Sequence, residues 1–357
     1  MAHAPVRSQH SIRAAASPAS ATDRSLLKLM AGTPLAVEET RALFDCALRG
    51  ELSDIELTAM LVALKLKGET ADEIAGAAAS LREGAREFDR PSYAFADIVG
   101  TGGDGAGTIN ISTAVACVAA EAGLPMAKHG NRAVSSRCGA ADLLEELGVR
   151  LDMAPTTARH CLDAERLTFL FAPHYHAGIR HAMPVRKRLA TRTVFNLLGP
   201  LVNPARPPIL LVGVYDPALC SVIADTLALL GCERALVVHG LGLDEIAVHG
   251  ATEAAELRDG RVERRRFTPA DFGVGAFPLA DLVGGGPSEN AVAIRRLLGG
   301  EGEAAHIAAV AVNAGALLHL ASVADSLPAG YELARSVIGG GGALARLERF
   351  AALSRDS

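Results

Sequence analysis

Tryptophan is absent from this 357-residue chain, and aromatic residues make up only 4% of it. Packing must therefore come from alanine, valine, leucine and glycine, which suits α/β layers with close helix–sheet contacts. The six cysteines (Cys46, Cys117, Cys138, Cys161, Cys220, Cys232) form no CxxC pair and share no Cys/His spacing of a zinc site. That pattern excludes a disulfide scaffold and predicts free thiols in a reducing, cytoplasmic setting. No apolar run reaches transmembrane length, so no membrane partner is expected. A basic excess is missing too: the formal charge is −5. No broad field for nucleic acid exists, and any polyanionic ligand must be held by a local cluster.

Residues 1–22 contain no acid and no amphipathic stripe, and read as a disordered tail rather than a transit peptide. From 23 to 88 the pattern is helical, with apolar residues at spacings of three and four: Leu26, Leu29 and Met30, then Leu43, Ala47 and Leu48, then Leu57, Met60, Leu61 and Leu64. Ser53 followed by Glu56 marks a capping box, and one further helix is expected from Ala71 to Glu87. Beyond Pro91, short apolar runs alternate with helices. The expected strands are Phe95–Val99, Pro125–Lys128, Phe169–Phe171, Ile209–Val214, Ala235–His239 and Glu253–Leu257. The fold class predicted is α/β: a small all-helical N-terminal domain, plus a larger domain with a mainly parallel central sheet flanked by helices. Helices from about 179 to 206 are expected to dock onto the helical domain, leaving 89–178 and 207–357 as the α/β part. Val283–Asn290 reads as a turn into a helix beginning near Asn290.

The most informative stretch is Asp97–Thr113, DIVGTGGDGAGTINIST. Gly100, Gly102, Gly103, Gly105 and Gly107 follow an apolar run and precede a helix-compatible one. Such glycines let a ligand approach the main chain, and successive N–H groups beside a helix N-terminus favour an anion. No Lys-Ser/Thr follows the last glycine, which excludes the phosphate loop of nucleotide triphosphatases, and Asp104 spoils a dinucleotide fingerprint.

Three further motifs carry charge. Ala127–Gly148 leaves a strand through Lys128, His129, Gly130, Asn131 and Arg132 and reaches a helix after Gly139, with Ser135 and Ser136 as hydroxyl donors. Lysine as a point charge and arginine as a fork suit a pyrophosphate or a ribose phosphate. Val237–Ile246 sets Asp244 and Glu245 after a strand and a glycine turn, as in a Mg²⁺ site beside phosphates. Phe169–Arg188 is rich in His and Arg, with Tyr175, His176 and Arg186 the best candidates to face a ligand. No Ser-His-Asp or Cys-His constellation accompanies them.

Taken in order, LKLKGET (Leu64–Thr70), VGTGGDG, NIST, KHGNR, AADLLEELG, PVRKRL, RTVFNLLGPLVNPA and GLDEI resemble the anthranilate phosphoribosyltransferase family, from about Ser25 to Ser354. That resemblance implies attack of the anthranilate amine on C1 of 5-phosphoribosyl 1-pyrophosphate (PRPP), with inversion and release of pyrophosphate. Donor contacts are implied for Gly100, Gly103, Asp104, Thr108, Asn110, Ile111, Ser112 and Thr113, for Lys128, His129, Gly130, Asn131, Arg132, Ala133, Val134, Ser135 and Ser136, and for Ala140. Mg²⁺ is the implied cofactor, at Ser112, Asp244 and Glu245. Gly100, Asn131, His129, His176 and Arg186 are implied to line the anthranilate path, with Arg186 on its carboxylate. A homodimer through the helical domain is also implied. The sequence departs from the family pattern at Ile109, Ala140, Ala177 and Leu241, none of which removes charge from the acids or the basic loop. Two other readings remain: a pyrimidine nucleoside phosphorylase of the same fold, which would carry KHS rather than Lys128-His129-Gly130, and a noncatalytic nucleic-acid-binding relative, which would need a basic face.

Overall fold

A computed structural model describes residues 20–133 and 136–356. Four helices open it: α1 (Ala21–Met30), α2 (Val37–Arg49), α3 (Asp54–Lys67) and α4 (Ala71–Glu83). Helix α1 starts inside the stretch expected to be a tail, because Ser20 and Asp23 form a capping box of their own. The predicted box at α3 is present: the Ser53 N–H donates to Glu56 Oε2 at 2.8 Å and the Glu56 N–H to Ser53 Oγ at 3.3 Å. Helix α4 stops four residues short of the expected Glu87, since Gly84 takes the C-cap.

The α/β part runs β1 (Ala96–Gly100), α5 (Ile111–Glu121), β2 (Met126–Gly130), α6 (Ala140–Glu146), α7 (Pro155–Glu165), β3 (Leu167–Phe171) and the short α8 (Ala172–Tyr175). Then come α9 (Met183–Leu189), α10 (Phe195–Leu198), β4 (Ile209–Gly213), α11 (Leu219–Leu229) and β5 (Arg234–His239). It closes with β6 (Thr252–Arg258), β7 (Arg261–Phe267), α12 (Pro287–Leu298), α13 (Ala304–Leu320), α14 (Leu327–Gly340) and α15 (Gly342–Leu353). The seven strands form one sheet in the order β3-β2-β1-β4-β5-β6-β7. The first five are parallel, and β6 and β7 are antiparallel additions at one edge. This is the mainly parallel sheet that the alternating texture predicted. Strand β7, RVERRRF, has no apolar alternation to read; it is an exposed edge, where charge discourages pairing with other chains.

Alternation along the strands divides the core in two. Ile209 and Leu211 face one layer with α5 and α13, whereas Leu210 and Val212 face α11 and the helical bundle. Val185, Phe195, Leu197, Leu198, Leu201 and Val202, all from the 179–206 segment, join the bundle-side core. Among the described residues, no helix is long and apolar enough to cross a membrane.

Candidate active site

The strand order reverses between β1 and β4: the chain leaves β1 towards α5 on one face and β4 towards α11 on the other. Such a switch point opens a crevice at the strand carboxyl ends, the usual ligand site of open α/β sheets. The glycine connection 101–110 lies there. Gly102, Gly103, Gly105 and Gly107 take φ of +69°, +78°, +76° and +63°, a conformation that side-chain-bearing residues resist. Gly100 and Gly213 are required for space rather than φ. A Cβ on Gly100 would lie 2.2 Å from Asp244 Oδ2, and one on Gly213 1.5 Å from the Asp244 carbonyl oxygen. The two parallel strand ends thus make the groove into which the β5 connection lays Asp244.

Acids gather in that groove. The Gly102 N–H donates to Asp244 Oδ2 at 2.7 Å, and Asp104 reaches the Asp244 N–H at 3.5 Å while accepting from Ala106 N–H at 3.1 Å. Burial, reinforced by the Asp104 charge and its hydrogen bond, pushes the Asp244 carboxyl up to about 7. Burial and then Asp244 push Glu245 well above the usual carboxylate range, against the pull of Lys128. Lys128, expected as a point charge toward the donor, is only 3% exposed. Its Nζ donates to the Ile98 carbonyl at 2.7 Å and to Ser112 Oγ at 3.2 Å. Desolvation lowers its pKa, and Asp97 and then Glu245 oppose that. Asp97 is fully buried; it accepts from the His129 N–H at 3.3 Å and from Asn203 Nδ2 at 2.9 Å, and burial still raises it to about 6.

The remaining donor-side positions are divided between contact and scaffold. Asn110 donates through Nδ2 to the Cys138 carbonyl at 3.0 Å, tying the glycine connection to the β2–α6 connection. Ile111 buries its side chain in the core, and Thr113 Oγ1 is buried without a hydrogen-bond partner. Thr108 bridges Val283. Beyond Gly130 and the exposed Asn131, Arg132 pairs with Asp142 at 3.0 Å and Glu145 at 2.7 Å, so its guanidinium braces the start of α6. The Ala133 N–H donates to Asp142 at 2.8 Å. Val134 and Ser135 lie outside the described residues; Ser136 is exposed and Ala140 opens α6.

His129, His176 and Arg186 differ in kind. His129 Nδ1–H donates to the Gly199 carbonyl at 3.1 Å, which leaves Nε2 with its lone pair; that atom is buried without a partner. The His176 ring meets His129 edge-to-face at 5.4 Å, and both its nitrogens are also buried and unpartnered. Desolvation, then the His176 charge, lowers His129 to about 3, and desolvation lowers His176 as well, so both rings are neutral at neutral pH. Arg186 stacks on Phe195 at 4.8 Å, and its Nη1 meets only Met183 Sδ, at 3.7 Å. No carboxylate pairs with it among the described residues.

Three participants escaped the sequence reading. The second glycine cluster is a buttress, not only a turn: the Gly284 N–H donates to the Gly107 carbonyl at 2.8 Å, and Asn290 Nδ2 to Asn110 Oδ1 at 2.8 Å. Its helix begins at Pro287, earlier than expected, because Pro fits the first turn. Asn203 and Arg192 are the others; Asn203, in the run LVNPA, is the one a reader could have flagged as a polar residue inside an apolar turn.

The chain matches two family profiles: a glycosyl transferase family helical bundle domain over residues 24–85 and a glycosyl transferase family a/b domain over residues 92–344. It is similar to an anthranilate phosphoribosyltransferase of Sorangium cellulosum, with 58% identity over 92% of this chain and 94% of that one. Among solved structures, an anthranilate phosphoribosyltransferase from Thermus thermophilus superimposes with a TM-score of 0.89 at 44% identity, covering 93% of this chain and 99% of its own. The Saccharomyces cerevisiae enzyme in complex with PRPP and Mg gives a TM-score of 0.85 at 28% identity, covering 93% and 97%.

Proposed function

Since this chain belongs to the anthranilate phosphoribosyltransferases, the tryptophan-pathway enzymes that transfer the phosphoribosyl group of PRPP to anthranilate and release pyrophosphate, we propose how its own residues divide that work. The observation that carries the reading is the acid cluster of half-buried Asp104 and Asp244 with buried Glu245, set against a loop of left-handed glycines. Acids so close, with Lys128 as their main counter-charge, fit a divalent cation. Among the described residues no three His, Cys, Asp or Glu side chains are arranged to hold a metal by themselves. Magnesium commonly takes one or two carboxylates and completes its shell with phosphate oxygens and water. Asp244 and Glu245, with Ser112, would hold it, and its charge would offset the charge collecting on the departing pyrophosphate.

The glycine connection, from Gly100, Gly103 and Asp104 through Thr108, Asn110, Ser112 and Thr113, holds the donor's phosphates on main-chain N–H groups, with the exposed end of the β2–α6 connection opposite. Lys128 acts from beneath, fixing Ser112 and balancing Glu245. Arg186, a guanidinium without an anion, pairs the anthranilate carboxylate. The aryl amine is neutral near pH 7 and needs no activation. As its N–C1 bond forms it becomes strongly acidic, so His129 Nε2, though a weak base, can take the proton. Positioning and charge stabilisation then supply the rate.

The exposed Leu27 and Met30 on α1 and Ile55 and Leu66 on α3 support a homodimer through the helical bundle. Six free cysteines support residence in a reducing cytoplasm. The whole reading is tested by following pyrophosphate release and loss of anthranilate fluorescence with and without Mg²⁺. Equal, Mg²⁺-dependent rates of the two are expected. Pyrophosphate release uncoupled from anthranilate, or full turnover in excess chelator, would overturn it.

A further inference from the structure

Arg192 lies in the link between α9 and α10, within the segment that packs on the helical bundle, yet its side chain reaches the other domain. Its Nη2 donates to the Gly103 carbonyl, and its guanidinium carbon lies over the Tyr215 ring, 4.0 Å from the centroid. Tyr215 follows β4, and its N–H donates to Thr101 Oγ1 at 3.2 Å, while the Thr101 N–H donates to the Gly213 carbonyl at 2.9 Å. One side chain therefore joins three segments: the bundle-bound link, the glycine connection and the end of β4. The link is itself tied to the bundle through Lys65 Nζ and Thr191 Oγ1.

We propose that Arg192 is a positioning residue that holds the glycine connection in its donor-binding conformation and couples that conformation to the helical domain. This rests on the reading of that connection as the PRPP site. In a trans peptide the carbonyl and the following N–H point in opposite directions. Fixing the Gly103 carbonyl on Arg192 therefore turns the Asp104 N–H to the far side of the loop. Gly102 and Gly103 have φ of +69° and +78°, so without this bond they would sample many other conformations at little cost. A latch is needed where glycine gives freedom. The Tyr215 ring supports the guanidinium from one face, a contact that a lysine ammonium, without a planar fork, reproduces only in part. Gly103 in turn allows the approach, since a Cβ there would already stand 3.2 Å from Arg192 Nη2.

Arg192→Ala, Arg192→Lys and Tyr215→Leu separate this from a plain charge effect and from a fold effect. Expected for Arg192→Ala is a KM for PRPP raised about tenfold or more, with KM for anthranilate within about twofold of the parent and an unchanged melting temperature. Tyr215→Leu, which keeps the charge of Arg192, is expected to raise KM for PRPP at least about threefold, and Arg192→Lys to recover only part of the loss. Parental KM in Arg192→Ala overturns the latch, as does full recovery by lysine with a neutral Tyr215→Leu, or a fall in melting temperature that accounts for the activity lost. The unmodified enzyme run alongside keeps the two readings apart: if it shows no Mg²⁺-dependent turnover of PRPP with anthranilate, the site reading itself fails.

Discussion

Around the β1–α5 connection, acids outnumber bases: Asp97, Asp104, Asp244 and Glu245 surround one buried lysine, and burial raises three of the four carboxyls. Around residues 174–199 the imbalance is reversed. Among the described residues Arg186 pairs with no acid, and His129 and His176 keep three buried ring nitrogens without partners. Unsatisfied groups of this kind cost stability and persist where a ligand completes them. The first region needs a cation and offers main-chain N–H groups to an anion beyond it. The second needs a carboxylate and a polar hydrogen. Under the reading proposed above, a metal-bound pyrophosphate donor would meet the first need and an aromatic amino acid such as anthranilate the second.

If the acid region holds the metal, its removal should have the largest effect. Asp244→Ala combined with Glu245→Ala is expected to lower turnover at least ~10²-fold at saturating substrates; near-parental turnover at limiting Mg²⁺ would refute the assignment. Gly100→Ala tests the same region without touching charge. Its Cβ would arrive 2.2 Å from Asp244 Oδ2, so the carboxylate must move, and a displacement near 1 Å costs up to ~10²-fold. The loss should appear in kcat and in the Mg²⁺ concentration needed for half-maximal rate. A variant with ordinary Mg²⁺ dependence would show that the groove between the strand ends does not set that geometry.

The acceptor region should respond in a different constant. Arg186→Ala is expected to raise KM for anthranilate about 10- to 100-fold, the loss of one charge-assisted hydrogen-bonded pair, with KM for PRPP little changed. If instead the PRPP constant moves and the anthranilate constant does not, the two regions have been assigned the wrong way round.

The two regions also differed in how far they could be read from sequence. Glycine spacing marked the connection that takes left-handed φ, because glycine adopts those values far more readily than other residues, and Asp244-Glu245 is compact in sequence. Five parallel strands were legible because buried strands are continuous apolar runs. Strand β7 was not, since an edge strand of arginines and glutamates has no periodic apolar face. The burial of Lys128 was not legible for a related reason: only the pairing of β1 with β2 brings Asp97 beside it. The roles of Arg192 and Asn290 depend on contacts across 89 and 180 residues, and local pattern carries no trace of them.

The smallest expected effect concerns pH, where neighbouring groups in the two regions pull in opposite directions. His129 is held at about 3 by burial, below its ordinary value of 6.5. Between those values the unfolded chain binds a proton that the native state refuses, so stability is present above pH 6.5 and is lost as pH falls towards 3. Asp97, raised from 3.8 to about 6, does the reverse: over that window the native state keeps a proton that the unfolded chain has released, and stability falls as pH rises. His176, also lowered by burial, adds to the first sign, and Asp244 and Glu245, also raised by burial, add to the second. The slope of the parent therefore mixes several groups and does not isolate His129. His129→Gln removes the contribution of that ring and leaves that of Asp97, because Asp97 is bonded to the main-chain N–H of residue 129 and not to its ring. Urea unfolding at pH 5 and pH 7 should show the variant gaining about 2 kcal/mol relative to the parent on going to pH 5, from 1.5 pH units below the unfolded value at about 1.4 kcal/mol each. Parallel pH dependences would mean that the ring nitrogen facing the acceptor reaches water or a proton in the native state, and the contrast between an acid-rich and an anion-seeking region would lose its second half.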